Sequence, residues 1–236
     1  MQVRGLLLRY SLLLGSSKAL FAEFLGTAVL VTAVIGSGIM AQSLTPDKAL
    51  QLLINALSTI LALGVLIWLF TDTSGAYFNP IISLAAAFRN DLSIPRMLGF
   101  IFAQLVGGLV GTALANAMFD RNFFEASMHQ RSGHALLLGE VVATCGLVLV
   151  IFGKVASNRP MFLLVPAWIG SAYFFTSSTS FANPAVTVAR AWSNSFAGIA
   201  PASILPFIGA QLFGGVLGLA LVFLLFDHSQ GELSNG

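Results

Sequence analysis

Six apolar runs in this chain divide into two sets of three, and the second set repeats the landmarks of the first. The runs lie at residues 19–41, 49–71, 97–119, 135–153, 161–177 and 201–226, each near the roughly 20 residues that cross a bilayer as a helix. AQLVGGLVG at 103–111 returns as AQLFGGVLG at 210–218, in the third and sixth runs. Glu23 in the first run (EFLGT) is matched by Glu140 in the fourth (EVVAT). One Asn-Pro segment, SGAYFNPIISLA at 74–85, follows the second run, and another, TSFANPAVTVAR at 179–190, follows the fifth. Because three crossings separate the copies, the second enters the membrane from the opposite side and the halves have inverted topology. Pro166 lies inside the fifth run, whose limits are the least defined because proline can kink or end a helix.

Composition agrees with lipid as the solvent: 57% of residues are hydrophobic and 8% charged, against about 25% charged in a soluble domain. A net charge of +2 without a Lys/Arg cluster gives no surface for nucleic acid. One cysteine, Cys145, excludes an intrachain disulfide and a cysteine metal cluster. His129, His134 and His228 have no second ligand at metal spacing, and no Ser or Cys nucleophile has a nearby base, so neither an enzyme, a metal site nor a cofactor is indicated.

With both ends inside, the cytoplasmic face holds Arg4, Arg9, Lys18, Arg89, Arg96, Lys154 and Arg159, against Lys48, Arg121, Arg131 and Arg190 outside. The positive-inside rule then places both termini in the cytoplasm. Arg9 interrupts the first apolar stretch and no small-residue cleavage pattern follows, so residues 1–18 read as a cytoplasmic extension, an interfacial helix among its possible forms, and not a signal peptide. The expected organisation is this extension, a first repeat at 19–119, a connecting loop at 120–134, a second repeat at 135–226 and a tail at 227–236.

Each Asn-Pro begins a helix: Asn caps free N–H groups with its side-chain oxygen, and Pro suits the first helical position. About ten residues of helix after Asn79 span roughly 15 Å, half of a hydrocarbon core of ~30 Å. Two half-helices from opposite sides, meeting at their N-termini, complete one crossing. Asn79 and Asn183 are then expected to present amide donors at the membrane centre, where the two helix dipoles also place partial positive charge. Irregular backbone at that depth requires a protein-lined or watery cavity. The expectation is a pore for neutral, hydrogen-bonding molecules that repels cations and protons. Glu23 and Glu140 are expected to accept bonds from loop backbone N–H groups, and Gln104 and Gln211 to bond within close Gly-xxx-Gly helix contacts.

These residues resemble the major intrinsic protein family, the aquaporins and aquaglyceroporins, across about residues 19–226, through AEFLGT, SGAYFNPI, ANPAV and the two AQL-GG spans. The resemblance implies an all-α membrane protein of six transmembrane helices plus two re-entrant half-helices, acting as a passive channel in a homotetramer with one pore per subunit and no cofactor. Two departures stand out. Ile81 replaces the usual Ala in the first motif, while Ala185 keeps it in the second, both being read at the pore centre. Val186 stands where most members carry the arginine of the outer selectivity filter.

Family spacing puts the other filter positions at Thr59, Ser171 and Ser180, so four small uncharged residues are expected, giving a wide constriction without a fixed cation. A bacterial subgroup associated with arsenic-resistance operons is similar in this respect, which adds arsenite or methylated arsenic species to glycerol-like polyols and water as expected solutes. Arg190, one turn past Val186, is read as interfacial, with a partial return of positive charge near the mouth as the alternative. Asp72 reads as a solvated span end or a gate, and Tyr77 as a residue of the inner mouth. Two rival functions remain open: a coupled transporter using Glu23 or Glu140, and a membrane-junction protein with a pore occluded by Ile81.

Overall fold

The computed structural model describes residues 2–153 and 160–226, and within them every regular element is helical. In chain order these are α1 (Gln2–Leu44), α2 (Lys48–Ser74), the short α3 (Pro80–Phe88), α4 (Ile94–Met118), α5 (His134–Phe152), α6 (Met161–Phe175), the short α7 (Pro184–Arg190) and α8 (Ile204–Phe226). Lys154, Arg159, His228 and the tail lie outside the described residues.

Five helices, α1, α2, α4, α5 and α8, are long and apolar enough to cross a membrane. The fifth apolar run, expected at 161–177, forms a shorter helix of 15 residues with Pro166 inside it, and the chain leaves helical geometry at Thr176. At 1.5 Å per residue α6 reaches about 22 Å, which with its extended continuation suffices for a sixth crossing. At the other end of the chain, α1 is continuous from Gln2, so the segment expected as a separate extension is joined to the first span in one helix.

Local chemistry sets the helix ends. The Asp47 carboxylate caps α2 by accepting from Ala49 N at 2.7 Å and Leu50 N at 3.2 Å. At the far end Gly75 adopts φ +94° and donates its N–H to the Thr71 carbonyl, the left-handed closure that glycine permits without steric cost.

The second half repeats the first. Helix α1 packs on α2 and α4, as α5 packs on α6 and α8. The halves join through α2 against α6, and each short helix touches the third long helix of both halves, α3 on α4 and α8, α7 on α8 and α4. Glycines let these axes approach. A Cβ added at Gly107 or Gly111 of α4 would strike the carbonyl oxygens of Phe24 or Ala28 in α1. In the other half a Cβ at Gly214 would meet Val141 O at 2.5 Å, and one at Gly218 would meet Cys145 O at 2.7 Å.

Gly111→Ala and Gly218→Ala are each expected to cost about 1–3 kcal/mol by forcing these helices apart. Thermal unfolding in detergent checks this, with Gly209→Ala as the neutral control, since a Cβ there meets nothing within 4 Å.

Candidate functional site

Half-helices α3 and α7 meet at their N-termini. Asn79 caps α3 by accepting from Ile81 N at 2.9 Å, and Asn183 caps α7 by accepting from Ala185 N at 3.0 Å and Val186 N at 3.3 Å. Each amide nitrogen then reaches across to the other loop. Asn79 Nδ2 donates to the Ala182 carbonyl at 2.8 Å, and Asn183 Nδ2 donates to the Phe78 carbonyl at 2.7 Å. The sequence reading left both NH₂ groups free for solute; one N–H of each ties the loops together, and one remains.

The loops before the caps are built alike. Ala76 and Phe78 have φ +52° and +47°, and Ser180 and Ala182 have +50° and +47°, all left-handed without being glycine. Such residues carry a steric cost of about 1–2 kcal/mol each and persist only where their surroundings hold them. A buried carboxyl does so in each half. Glu23, 0% exposed, accepts from Ser74 Oγ at 2.6 Å, Tyr77 N at 3.0 Å, Phe78 N at 2.7 Å and Gln104 Nε2 at 2.7 Å. Glu140, also 0% exposed, accepts from Phe181 N at 2.9 Å, Ala182 N at 2.9 Å and Gln211 Nε2 at 2.6 Å.

The glutamines extend these networks into the half-helices. Gln104 Nε2 also donates to Ser83 Oγ, which donates to the Asn79 carbonyl; Gln211 Nε2 donates to Thr187 Oγ1, which donates to the Asn183 carbonyl. Neither glutamate lines the cavity described next, and both are occupied by loop donors. That leaves a proton-coupled transporter without a carrier group at the site.

A cavity of about 150 Å³ runs past the two asparagines, from Thr71, Gly75 and Tyr77 at one end to Tyr173, Ser180 and Arg190 at the other. Its walls are mostly aliphatic, and they come from helical stripes at i, i+4: Thr59, Leu63, Ile67 and Thr71 on α2, and Met161, Val165, Ile169 and Tyr173 on α6. Asp72 is exposed and outside this lining, which Tyr77 joins.

Three expected site residues fall elsewhere. Ser171 is exposed on the outer side of α6. Two residues are 200° of helix rotation, so Ser171 points away from the stripe that Tyr173 shares. Tyr173 lines the cavity instead and donates its hydroxyl to Thr59 Oγ1 at 3.2 Å. Ile81 and Ala185 are buried but do not line the cavity. Ile81 Cγ2 would lie 2.7 Å from a Cβ on Gly215 of α8, and the Ala185 carbonyl 3.3 Å from one on Gly108 of α4. The third residue of each motif thus packs against a glycine of the opposite half, and the larger Ile81 does not occlude the conduit.

Thr59, Ser180 and Val186 line the cavity as expected from their spacing, but so does Arg190, which removes the expectation of an uncharged mouth. Arg190 is 2% exposed and lies over the Phe181 ring, 3.4 Å from its centroid. Arg131, from the loop between the halves, also lies against Phe181 and donates to the carbonyls of Gly198 at 2.9 Å and Phe196 at 3.3 Å. The sequence signal for Arg190 was its position one helical turn past Val186; Arg131 had none, since a loop gives no periodicity.

Burial lowers the Arg131 guanidinium to about 10, still charged at neutral pH. Partial burial, then the neighbouring Arg131, Arg190 and Lys48 cations, pull His129 down to about 4.

Comparison with known proteins follows the same line. The major intrinsic protein profile matches residues 12–181. An aquaglyceroporin, AqpS, of Rhizobium meliloti (strain 1021) is 46% identical over 210 residues, covering 89% of this chain and 90% of its own length. A probable aquaporin TIP-type of Medicago truncatula is 30% identical, covering 92% of this chain and 90% of that one. The X-ray structure of the aquaglyceroporin from Plasmodium falciparum superposes with a TM-score of 0.68 at 19% identity, covering 89% of this chain and 99% of that one, a likeness of fold alone.

Glu23→Ala strands three buried donors and a fourth that is partly buried, and a destabilisation of roughly 3 kcal/mol or more is expected on unfolding in detergent. A thermal shift equal to that of a surface substitution would show that the loop holds itself. For pH, His129 is neutral above its folded value of about 4 and Arg131 charged below about 10. Glycerol flux is therefore expected to stay flat between about pH 5.5 and 8.5. The sign for stability is separate: His129 resists protonation in the fold, so its contribution is lost as pH falls from its ordinary 6.5 towards 4.

Proposed function

Because this chain belongs to the major intrinsic protein family, a multi-pass membrane protein forming a passive channel for small neutral solutes, we propose that it conducts glycerol-like polyols, neutral hydroxylated arsenic species such as arsenite or methylated forms, and water. The observation that carries this reading is the cavity itself, aliphatic along its length and interrupted at mid-course by the amides of Asn79 and Asn183. A polyol presents carbon along one edge and hydroxyls along the other, and such a conduit solvates both. Val186, an aliphatic side chain at the position after the second Asn-Pro-Ala, leaves room for a carbon chain beside Ser180 and Thr59. The 46% identical relative carries the name aquaglyceroporin, which supports polyols ahead of water alone.

Ions are excluded by two costs acting together. The mostly aliphatic lining offers too few oxygens to replace a hydration shell, and the α3 and α7 dipoles point their positive ends at the same place. The same reading gives Asn79 and Asn183 the central donor role, and Thr59, Tyr173, Ser180 and Val186 the constriction. Glu23, Glu140, Gln104 and Gln211 serve as the scaffold of the loops. Family membership adds a homotetramer of the cell membrane to this reading, and the distribution of Lys and Arg supports both termini in the cytoplasm.

Stopped-flow swelling and shrinking of proteoliposomes with water, glycerol, urea and arsenite tests the proposal. Glycerol and arsenite are expected to enter faster than into empty liposomes and to stop at the external concentration. Accumulation beyond that level would make the protein a coupled transporter, and no flux from assembled protein would leave it a structural one. Val186→Arg is expected to slow glycerol by about tenfold while slowing water less, since a long cation in the constriction obstructs the larger solute first; equal effects would remove Val186 from the filter.

A further inference from the structure

Arg190 ends α7 and is nearly as inaccessible to outside solvent as any residue of the core, yet it lines the conduit. Its Nε donates to the Ala197 carbonyl, and the guanidinium lies over the Phe181 ring. Among the described residues its terminal nitrogens have no hydrogen-bond partner, and no carboxylate of these residues lies within ion-pair distance. A guanidinium stays charged at any physiological pH and brings five N–H donors, so an unpaired one at this depth is costly unless something passing through takes its donors. In the lining of the same cavity, Ser180 Oγ is buried and likewise has no hydrogen-bond partner among the described residues.

We propose that Arg190 is the specificity-determining cation of this end of the conduit, standing one helical turn deeper into α7 than Val186 and presenting its free N–H groups to the acceptor oxygens of passing solutes. The charge withdrawn at position 186 is thereby returned, but at a place where it does not narrow the level of Val186 and Thr59. Ser180 supplies the complementary oxygen, its Oγ accepting a hydrogen bond from a solute hydroxyl while Arg190 donates to the next oxygen. Protons and cations of solute size meet a fixed positive charge in a low-dielectric wall, where Coulomb repulsion is several times stronger than in water. Arg131, already satisfied by backbone carbonyls, adds to the field without presenting donors.

This proposal rests on the channel reading, and its test separates the two. Wild type, Arg190→Met, Arg190→Gln and Arg190→Lys are reconstituted after size-exclusion chromatography confirms assembly. Proton and methylammonium entry are measured beside glycerol flux in the same vesicles. The uncharged variants are expected to admit protons and methylammonium at least about tenfold faster, with glycerol flux kept within about threefold, while Arg190→Lys stays near wild type for the cations. Val186→Arg combined with Arg190→Met is expected to restore cation exclusion, which a merely structural role of Arg190 would not produce. Unchanged cation entry in assembled Arg190→Met or Arg190→Gln overturns the proposal. So does failure of all three single variants to assemble, Arg190→Lys included, because the residue would then be an anchor for the 190–199 loop. A wild type that conducts no glycerol overturns the channel reading, and this proposal with it.

Discussion

A peptide segment that is not helical, placed in the middle of a hydrocarbon layer, must find partners for its N–H and C=O groups inside the protein. Here two such segments lie back to back, and one buried carboxyl anchors each. Glu23 and Glu140 collect the N–H groups of residues 77–78 and 181–182, and the asparagines of each loop bond a carbonyl of the other. Remove these bonds and the left-handed residues at 78 and 182 lose the acceptors of their N–H groups, while those at 76 and 180 keep only the local hydroxyls of Ser74 and Ser178. The conduit exists because the loops cannot close: their remaining polar groups face a space that aliphatic stripes from neighbouring helices keep open.

The two halves share this scaffold and differ where function requires it. Glutamate, glutamine, a hydroxyl residue and the capping asparagine form the same chain of bonds in each half, with Ser83 in one and Thr187 in the other. The glycines of α4 and α8 recur in step, Gly108 and Gly215 accommodating the third residue of the opposite motif and the others the carbonyls of α1 and α5. Around this common frame the second half brings a buried guanidinium, that of Arg190, into the conduit with no counterpart among the described residues of the first half, and the connecting loop adds Arg131. The selectivity proposed for this conduit thus rests on side chains that the duplication does not constrain.

The fold was legible in the sequence to an unusual degree because a membrane leaves few choices. Run length, the odd number of spans between copies and the Asn-Pro caps led to inverted halves and half-helices joined at their tips, and the paired Glu and Gln residues pointed to a scaffold. The lining was less legible. Counting family spacing along α6 selected Ser171, whereas the stripe of Met161, Val165, Ile169 and Tyr173 turns a different residue inward. Ile81 read as a pore residue because it follows the capping pair, but one step along a helix is 100° of rotation, and that step carries it to Gly215.

Arg190 marks the boundary between what the linear code and the packed chain each decide. By itself the sequence determined that the chain spans a bilayer, that it is built twice, and that two helix starts face each other, since apolar length, repetition and capping are local properties of the chain. Only the tertiary structure decided which side chains look into the conduit, because that depends on the rotation of each helix against its neighbours. Whether a cation one turn past Val186 meets lipid, solvent or solute is settled by the ring of Phe181 and the carbonyl of Ala197, contacts that no spacing in the sequence records.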